Sequence, residues 1–541
     1  YGTDGAGPFY FMSSSWGAGN SASAYNLNFE GPVGTEFRTN PDTDVAGLIV
    51  YNNLTVTSGF LNTEGQSGNM NDLITVGGNF TIGPAGEMTA NVSNAFNVAG
   101  DALIEADENR IGSFIDNQNT NIVGSSNVQQ HLTSERWHLV SSPVTGATIF
   151  TYLDIYLKEF NEPDGSWTYL VQPTTIPMNT TQGYSAWADD DLTGPTTVTY
   201  TGVFNTGDIT INSFDYTSAS AVVGWNLIGN PFPSGLQWND IWSQSNLSPW
   251  GCIHNEGNDG CFNALTGGEW PLPGDFPNGT MAPTQGFWVR ATDINASLTI
   301  PHSQRMHNSQ SIYKGSKIVI DQQIRLKVTG NDDYDALLLQ FIPGATPGFD
   351  ENFDLEKRWG YDTSPQIYAI QNGVDFYSVS ALPEITSDLI IPIGFEVGVA
   401  GDYQIDVMEL TGITHKYIVV LEDLKENTFT KIDEGSLVEF FAETEDGPHR
   451  FNLHFTDMST GIDPVNKDFV HIYAHENVVF VLADPHQIHQ VEIYNLVGNT
   501  IHSQEHFESD VTKIRMDSPA GYYIVRAVAN GRYYTKKVFL E

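Results

Sequence analysis

Three short segments near the N-terminus of this 541-residue chain repeat one pattern of strand, turn and strand. Each has an Asn or Asp at the turn, first Asn53, then Asn79, then Asp101, so the repeats lie 26 and 22 residues apart. A strand unit that recurs every roughly 20–30 residues, with no helical period, is typical of a parallel β-solenoid. We predict a β-solenoid-like domain over residues 1–125, with the edge of a β-sandwich as the alternative.

A longer duplication follows in residues 126–308. The segment WHLVSSP at Trp137 matches WNLIGNP at Trp225, and the TQGY of residues 181–184 matches the TQGF of residues 284–287. In both halves a tryptophan, Trp167 or Trp270, precedes the glutamine of the second motif by fifteen residues. The duplication predicts two related β-units packed together.

Residues 309–460 alternate apolar and polar side chains in short runs, such as Ile318–Val328 and Tyr403–Met408, between clusters of turn residues. This alternation indicates a β-sandwich. The many Gly, Tyr and Phe residues of the chain (51, 23 and 30) also favour strands joined by tight turns. The predicted fold class is all-β: a β-solenoid-like region, a duplicated β-unit, a β-sandwich and a small C-terminal Ig-like β-sandwich.

The last segment, residues 461–541, contains the most specific motifs, namely VEIYNLVG at 491–498, AGYYIVR at 520–526 and TKKV at 535–538. In this order they resemble the type A C-terminal sorting domain of Bacteroidetes type IX secretion cargo. The resemblance implies export through the type IX translocon and recognition by its outer-membrane shuttle protein. It places the sorting motif at Gly498, Gly521, Tyr523, Lys536 and Lys537. An ordinary Ig-like terminal domain is the alternative.

The charge of the chain is one-sided, with 65 acidic residues against 23 basic ones and a formal net charge of −42. Nucleic acids and anionic lipids need clustered Lys and Arg, so this balance excludes both as expected partners. Acidic side chains in turns are also the oxygen ligands that Ca²⁺ prefers. The candidate Ca²⁺ ligands are Asp42, Asp44, Asp189 and Asp191, with solvated turns as the alternative.

Only two cysteines are present, Cys252 and Cys261, and they lie nine residues apart in a segment rich in Gly, Asn and Asp. This spacing fits neither a zinc ribbon nor a thioredoxin-like pair. In an exported protein we expect a local disulfide that closes this loop, with free thiols as the alternative.

Nine of the eleven tryptophans lie within residues 126–308. Exposed aromatic rings stack on sugars, so a carbohydrate-binding surface is one interpretation, with Trp238, Trp242 and Trp250 as the candidates for exposure. The alternative is that the tryptophans are core anchors of the duplicated fold.

Catalytic motifs are missing from the sequence: there is no nucleophile elbow, HExxH, P-loop or dinucleotide fingerprint. The chain begins with Tyr rather than Met, and we expect a signal peptide to have been removed. No apolar run is long enough to span a membrane as a helix. We therefore expect a non-enzymatic cell-surface or extracellular protein that is structural or adhesive, and that assembles with itself or binds surface glycans. The alternatives are a carbohydrate-binding protein, an unrecognised glycan-active enzyme, or an adhesin fragment captured as translocon cargo.

Overall fold

The chain forms two compact units, Tyr1–Ile318 and Val319–Glu541. Strands account for 58% of the residues and helices for 2%, which confirms the all-β prediction. None of the helices in the described part is long and apolar enough to cross a membrane. The computed structural model describes residues 9–10, 21–32, 34–38, 47–63, 73–90, 95–171, 175–191, 193–220, 222–238, 242–255, 258–307, 320–386, 389–457, 470–475, 477–483, 488–507, 511–529 and 531–540.

The first unit contains thirty described strands and three short 3-10 helices. The helices are Ile149–Tyr152, Pro277–Gly279 and His302–Gln304. The strands are β1 (Phe9–Tyr10), β2 (Ser21–Ala24), β3 (Leu27–Phe29), β4 (Glu36–Arg38), β5 (Gly47–Val50), β6 (Leu54–Asn62), β7 (Leu73–Val76), β8 (Phe80–Ala90), β9 (Ala95–Val98), β10 (Ala102–Ile104), β11 (Ser113–Asp116), β12 (Thr120–Ile122), β13 (Ser126–Leu132), β14 (Trp137–Val140), β15 (Val144–Thr145), β16 (Tyr156–Asn161), β17 (Ser166–Tyr169), β18 (Tyr184–Trp187), β19 (Thr196–Phe204), β20 (Ile209–Ile211), β21 (Trp225–Gly229), β22 (Gly235–Gln237), β23 (Ser243–Ser245), β24 (Leu247–Asn255), β25 (Asn258–Asn263), β26 (Glu269–Trp270), β27 (Thr280–Met281), β28 (Gly286–Ala291), β29 (Ser297–Ile300) and β30 (Arg305–Met306).

The N-terminal region is a parallel β-solenoid with two faces. One sheet runs through β6, β8, β10 and β13, and the other through β12, β9, β7, β5 and β2, in both cases with parallel pairing. The pairing of Leu54 with Phe80, and of Phe80 with Ala102, has the register that the sequence repeats predict. Because Ser126 on β13 pairs with Ala102, the solenoid sheet continues beyond residue 125.

The repeated turn residues form a ladder that links successive coils. The Oδ1 of Asn53 accepts a hydrogen bond from the Asn79 N–H (2.9 Å), and the Oδ1 of Asn79 accepts one from the Asp101 N–H (3.0 Å). The Oδ1 of Asp101 continues the series with the Ser125 N–H (2.7 Å). A Cβ on Gly100 would lie 2.2 Å from the Asn79 Oδ1, so the coils approach closely here. Each turn thus satisfies a backbone donor of the next coil.

The duplicated region consists of two similar sheets that join through their motifs. In the first, β14 pairs with β18, and in the second β21 pairs with β28, so the strand of each WxL motif pairs with the strand that follows its own TQG motif. Val140 then bridges to Gln285, and Gln182 bridges to Ile228. Each copy therefore contacts the TQG segment of the other, which relates them by an approximate two-fold arrangement.

The second unit contains a β-sandwich followed by a small terminal domain. The sandwich strands are β31 (Gln322–Gly330), β32 (Asp333–Phe341), β33 (Leu355–Glu356), β34 (Gln366–Gln371), β35 (Asp375–Leu382), β36 (Ile390–Glu396), β37 (Gly401–Thr411), β38 (Tyr417–Asp423), β39 (Thr428–Ile432), β40 (Leu437–Ala442) and β41 (His449–Asp457). The terminal strands are β42 (Val470–His475), β43 (Val478–Ala483), β44 (Ile488–Asn495), β45 (Thr500–Gln504), β46 (Val511–Arg515), β47 (Gly521–Ala529) and β48 (Arg532–Leu540).

The eleven sandwich strands form one sheet that folds back on itself. Phe395 on β36 packs against Tyr403 on β37 (ring centroids 5.5 Å) and against Phe440 on β40 (5.0 Å), although these strands are far apart in the strand order. The two layers enclose a single core of buried apolar side chains. The terminal domain has two sheets, β42-β43-β46 and β45-β44-β47-β48, around its own core, which is the predicted Ig-like arrangement.

The terminal domain packs on the outer face of β38 and β39. Phe480 of the terminal domain contacts Phe429 of the sandwich (ring centroids 5.1 Å), next to Ile418 and Val420. Beside these rings the Glu422 Oε2 accepts a hydrogen bond from the His454 Nε2 (2.8 Å). The apolar contact attaches the terminal domain to the sandwich, and the Lys513 Nζ of β46, 3.6 Å from the Glu422 Oε1, adds an ion pair between them.

Acidification is expected to weaken this contact through Glu422. Burial alone would raise the pKa of this carboxyl, but hydrogen bonds from His454 and Asn452 lower it to about 2 from an ordinary 4.5. A depressed pKa stabilises the folded state above pH 4.5, and this stabilisation is lost as pH falls toward 2. It amounts to at most about 3 kcal/mol, reduced by the water near the pair. Hydrogen exchange of β38 and β43 should show a smaller acid effect in Glu422→Gln.

The matched control for this experiment is Glu443→Gln, since Glu443 makes an exposed ion pair with Lys425 at 3.3 Å. This variant should keep the acid response of the wild type. An unchanged acid response in Glu422→Gln would contradict the role of Glu422.

Candidate functional site

The first sheet of the duplicated region has one core-facing side and one aromatic side. Side chains alternate along a strand, so Tyr156, Lys158 and Phe160 of β16 share a face. The core-facing side carries residues such as Leu157 and Tyr184. We call the other side the aromatic face; cross-strand pairing places on it Trp137, Tyr156, Lys158, Phe160, Trp167, Tyr169 and Trp187.

Lys158 lies at the centre of the aromatic face, among three rings. Its Nζ is 3.4 Å from the ring centroid of Trp137, 4.9 Å from that of Trp167 and 5.9 Å from that of Tyr169. These distances are within the range of cation–π attraction. Burial lowers the pKa of Lys158, but the rings favour the charged ammonium. The arrangement is a half-buried cation with aromatic walls.

Two tyrosines form the solvent side of this face. Tyr156 is 46% exposed and Tyr169 is 56% exposed, and their rings are nearly perpendicular, with centroids 6.5 Å apart. At the other end Phe160 packs edge-on against Trp288 of the second copy (4.8 Å). The aromatic face therefore extends from the accessible Tyr156 and Tyr169 to the contact of Phe160 with Trp288.

The two cysteines are bonded to each other and lie within strands of the second copy. Cys252 on β24 pairs directly with Cys261 on β25, and both side chains are fully buried. The predicted bond is present, but it joins two neighbouring strands rather than the ends of a loop, because the Gly- and Asn-rich segment forms a hairpin. It cross-links the core-forming part of the second copy.

The position of the disulfide corresponds to that of Lys158 in the first copy. Lys158 pairs with Ser185, and Cys252 pairs with Trp288, while Ser185 and Trp288 both follow the TQG motif by two residues. Lys158 and its cross-strand neighbour Tyr169 thus occupy the place of the bonded cysteines. At this position the second copy has a buried disulfide, whereas the first copy has the Lys158 ammonium and the exposed ring of Tyr169.

A cleft of about 620 Å³ lies beside Trp137. Its lining includes His131, His138 and His254 together with Arg136. Burial is the main cause that lowers the pKa of His138, although its hydrogen bond to the Thr133 carbonyl acts in the opposite direction.

The three tryptophans predicted to be exposed are buried, so that prediction is wrong. Trp238, Trp242 and Trp250 are 0%, 2% and 1% exposed. The Trp238 Nε1 donates a hydrogen bond to the Pro249 carbonyl (2.6 Å), and its ring packs on Trp242 (5.0 Å). Trp238 and Trp242 belong to the apolar core of the second copy. The half-exposed rings are instead those of the aromatic face, which no sequence pattern marked as exposed.

The predicted Ca²⁺ ligands find no support in the described structure. Asp42 and Asp44 lie outside the described residues. The Asp189 Oδ1 accepts a hydrogen bond from the Asp191 N–H (2.9 Å), which makes a local turn. Within the described ranges no group of three or more His, Cys, Asp or Glu residues is placed to hold a metal ion.

Two positions of the predicted sorting motif lie at turns or strand ends. Gly498 lies in the turn between β44 and β45 with φ of 91°, a left-handed conformation that favours glycine. Gly521 begins β47. The Tyr523 side chain is buried, and its hydroxyl donates to the Pro519 carbonyl (2.8 Å). These residues shape the terminal domain and pack its core.

The two lysines of the motif lie on β48, an edge strand of the terminal domain. Lys537 is exposed, with its Nζ 3.8 Å from the Tyr522 ring centroid, and the neighbouring Lys536 is half-buried. Lysines on an edge strand hinder pairing with other strands. They also provide positive charge on the surface of a very acidic chain.

The fold and these surfaces define a multidomain all-β protein with a small Ig-like terminal domain. Residues 41–254 and 252–455 each match a family model described as a domain of unknown function (DUF8693). The two matches together extend over more than half of the sequence, and the chain belongs to this family.

One relative is a fimbrial protein. Over 133 residues the chain is 31% identical to the minor fimbrium subunit Mfa5 of Porphyromonas gingivalis. The match covers 24% of this chain and 10% of that protein. Among solved structures, a biofilm-associated protein BSP domain matches over 76% of this chain and 92% of that one, with 10% identity and a TM-score of 0.15. A TM-score this low does not show that the two folds are alike.

Proposed function

We propose that this chain is a non-enzymatic cell-surface or extracellular protein, exported by the type IX secretion system, that serves as an adhesive or structural subunit. The main support is the terminal domain. Its sequence carries three motifs, at 491–498, 520–526 and 535–538, that resemble those of a type A sorting domain in the same order. The similarity to a fimbrial subunit supports a surface location.

The two lysines of β48 test the export route without disturbing the core. In a host with a working type IX system, the full chain with Lys536→Ala and Lys537→Ala should accumulate in the periplasm, with at least about a tenfold loss of surface protein. We expect this loss because a recognition surface typically depends on a few residues. Cell fractionation and surface immunolabelling measure it.

The matched control is the pair Lys425→Ala and Lys431→Ala, since both lysines make exposed ion pairs in the sandwich. This control should reach the surface like the wild type. Normal surface delivery of the β48 variant, or of the wild type in a host without the translocon, would contradict the proposed route.

The subunit role is tested separately by negative-stain electron microscopy of the secreted material at two dilutions. Filaments or sheets that persist on dilution would support an assembled subunit. Isolated particles at both dilutions would contradict self-assembly and leave adhesion as the role.

A further inference from the structure

Lys158 has no acidic partner in the part of the chain that the structure describes. The ion pairs of Lys357, Lys425, Lys431 and Lys513 show how readily lysines find carboxylates here. Acidic residues outnumber basic ones by 65 to 23 in the whole chain, yet none of the described ones pairs with Lys158. Its three N–H donors cannot all be satisfied by ring faces. The ammonium is therefore suited to an oxygen ligand from outside the chain.

The rings around Lys158 suit a sugar. Aromatic faces contact the C–H groups of sugar rings and offer a large contact area at a low cost in conformational entropy. Tyr156 and Tyr169 are about half exposed, and Trp137 and Trp167 form the walls nearer to the sheet. A ligand above Lys158 would contact both tyrosines at once. An extended peptide would gain most from a sheet edge, whereas this site is the face of a sheet.

We propose that the aromatic face binds an acidic oligosaccharide, with a uronate carboxylate on the Lys158 ammonium and the sugar rings on Tyr156 and Tyr169. The ligand carries a carboxylate because the site presents an ammonium without a carboxylate partner among the described residues. The net charge of −42 opposes the binding of an anion, so the attraction comes from this ammonium. The comparison between copies supports this assignment, since the corresponding place in the second copy is sealed by a buried disulfide.

The inference names a ligand class for the adhesive role proposed above, and rests on that role for its biological setting. Binding by the purified full chain tests the ligand, whereas cell fractionation tests the export route. Failure of one experiment is therefore distinguishable from failure of the other.

Isothermal titration calorimetry of the full chain provides the test, with oligomannuronate as the acidic probe and mannan oligosaccharides as the neutral probe. We expect the acidic probe to bind and Lys158→Met to weaken it by about tenfold, equivalent to about 1.4 kcal/mol. Lys158→Arg should retain most of the affinity because it keeps the charge. Higher salt should weaken wild-type binding.

Two further variants separate a binding role from a structural one. Tyr169→Ala removes an exposed ring and should weaken binding at least about threefold without a change in thermal unfolding. The matched control is Lys327→Met, because the Lys327 Nζ lies 4.6 Å from the Tyr334 ring in the sandwich. It removes a similar cation–π lysine elsewhere and should bind normally.

Three results would overturn the proposal. The first is no binding of the acidic probe to the folded chain. The second is binding that stays within about twofold of wild type in both Lys158→Met and Tyr169→Ala. The third is equal binding of polyglutamate, which would show that the site recognises acidic peptide rather than sugar.

Discussion

Replacement of Trp238 by alanine is expected to destabilise the first compact unit by about 3–5 kcal/mol. The indole is fully buried, packs on Trp242 and on Phe287, and donates its N–H to the Pro249 carbonyl. A Cβ on Gly251 would lie 3.2 Å from the indole, so the backbone is already in close contact. The substitution removes this packing and leaves a cavity, while the Pro249 carbonyl keeps only its hydrogen bond from the Ala264 N–H. Urea unfolding followed by circular dichroism measures the loss.

Tyr25→Ala is the control for Trp238→Ala, because Tyr25 is an exposed aromatic residue of the same unit. It should change the free energy of unfolding by no more than about 0.5 kcal/mol. A similarly small effect of Trp238→Ala would show that this tryptophan does not support the core. Glycan binding should survive in any folded fraction of Trp238→Ala, since the aromatic face is in the other copy.

Replacement of Arg305 by alanine is expected to cost about 3–5 kcal/mol in the same unit. The Arg305 Nη2 lies 3.0 Å from the Asp116 Oδ1 and also donates to the Asp116 carbonyl, and both side chains are buried. Two positions further on, the buried His307 Nδ1 lies 2.8 Å from the Ser113 Oγ, next to the same strand of the solenoid. Loss of the guanidinium leaves the Asp116 carboxylate buried without its cation, which is the costly case.

Urea unfolding followed by circular dichroism also measures the effect of Arg305→Ala, and hydrogen exchange of residues 302–307 gives a local readout. The double variant Arg305→Ala with Asp116→Ala should recover part of the loss, because no isolated charge remains. Lys425→Ala is the control, since its ion pairs are exposed to solvent and contribute little to stability. If the double variant loses as much free energy of unfolding as the two single variants added together, the two side chains are not coupled. This result would contradict the pairing of Arg305 with Asp116.

The repeat pattern predicted the solenoid because its geometry is local. Asn53, Asn79 and Asp101 recur at one coil length, and each side chain bonds to the coil that follows. An Asn or Asp at the same turn position of each coil fixes the parallel register between the coils. The duplicated motifs were equally informative, because the TQG segments and the WxL strands pair within and between copies.

The sequence could not identify the aromatic face. Trp238 and Trp167 both belong to the duplicated region, yet the first is buried and the second lines an open surface. Alternation along a strand shows that a strand has two faces but not which face another segment covers. The prediction of exposed tryptophans failed for this reason. Residue spacing also gave no signal for the Arg305–Asp116 pair, whose members are 189 residues apart.

By itself, the sequence determined the all-β class, the coil repeat, the duplication and the terminal motif, because periodicity and turn residues act through neighbouring backbone groups. Only the tertiary structure decided that Lys158 lies among aromatic rings while the corresponding place in the second copy holds a disulfide. In the second copy Cys252 and Cys261 are fully buried, whereas the half-exposed Tyr156 and Tyr169 leave the corresponding part of the first copy open to solvent. Burial depends on contacts between residues distant in the chain, so it emerges only when the copies are packed.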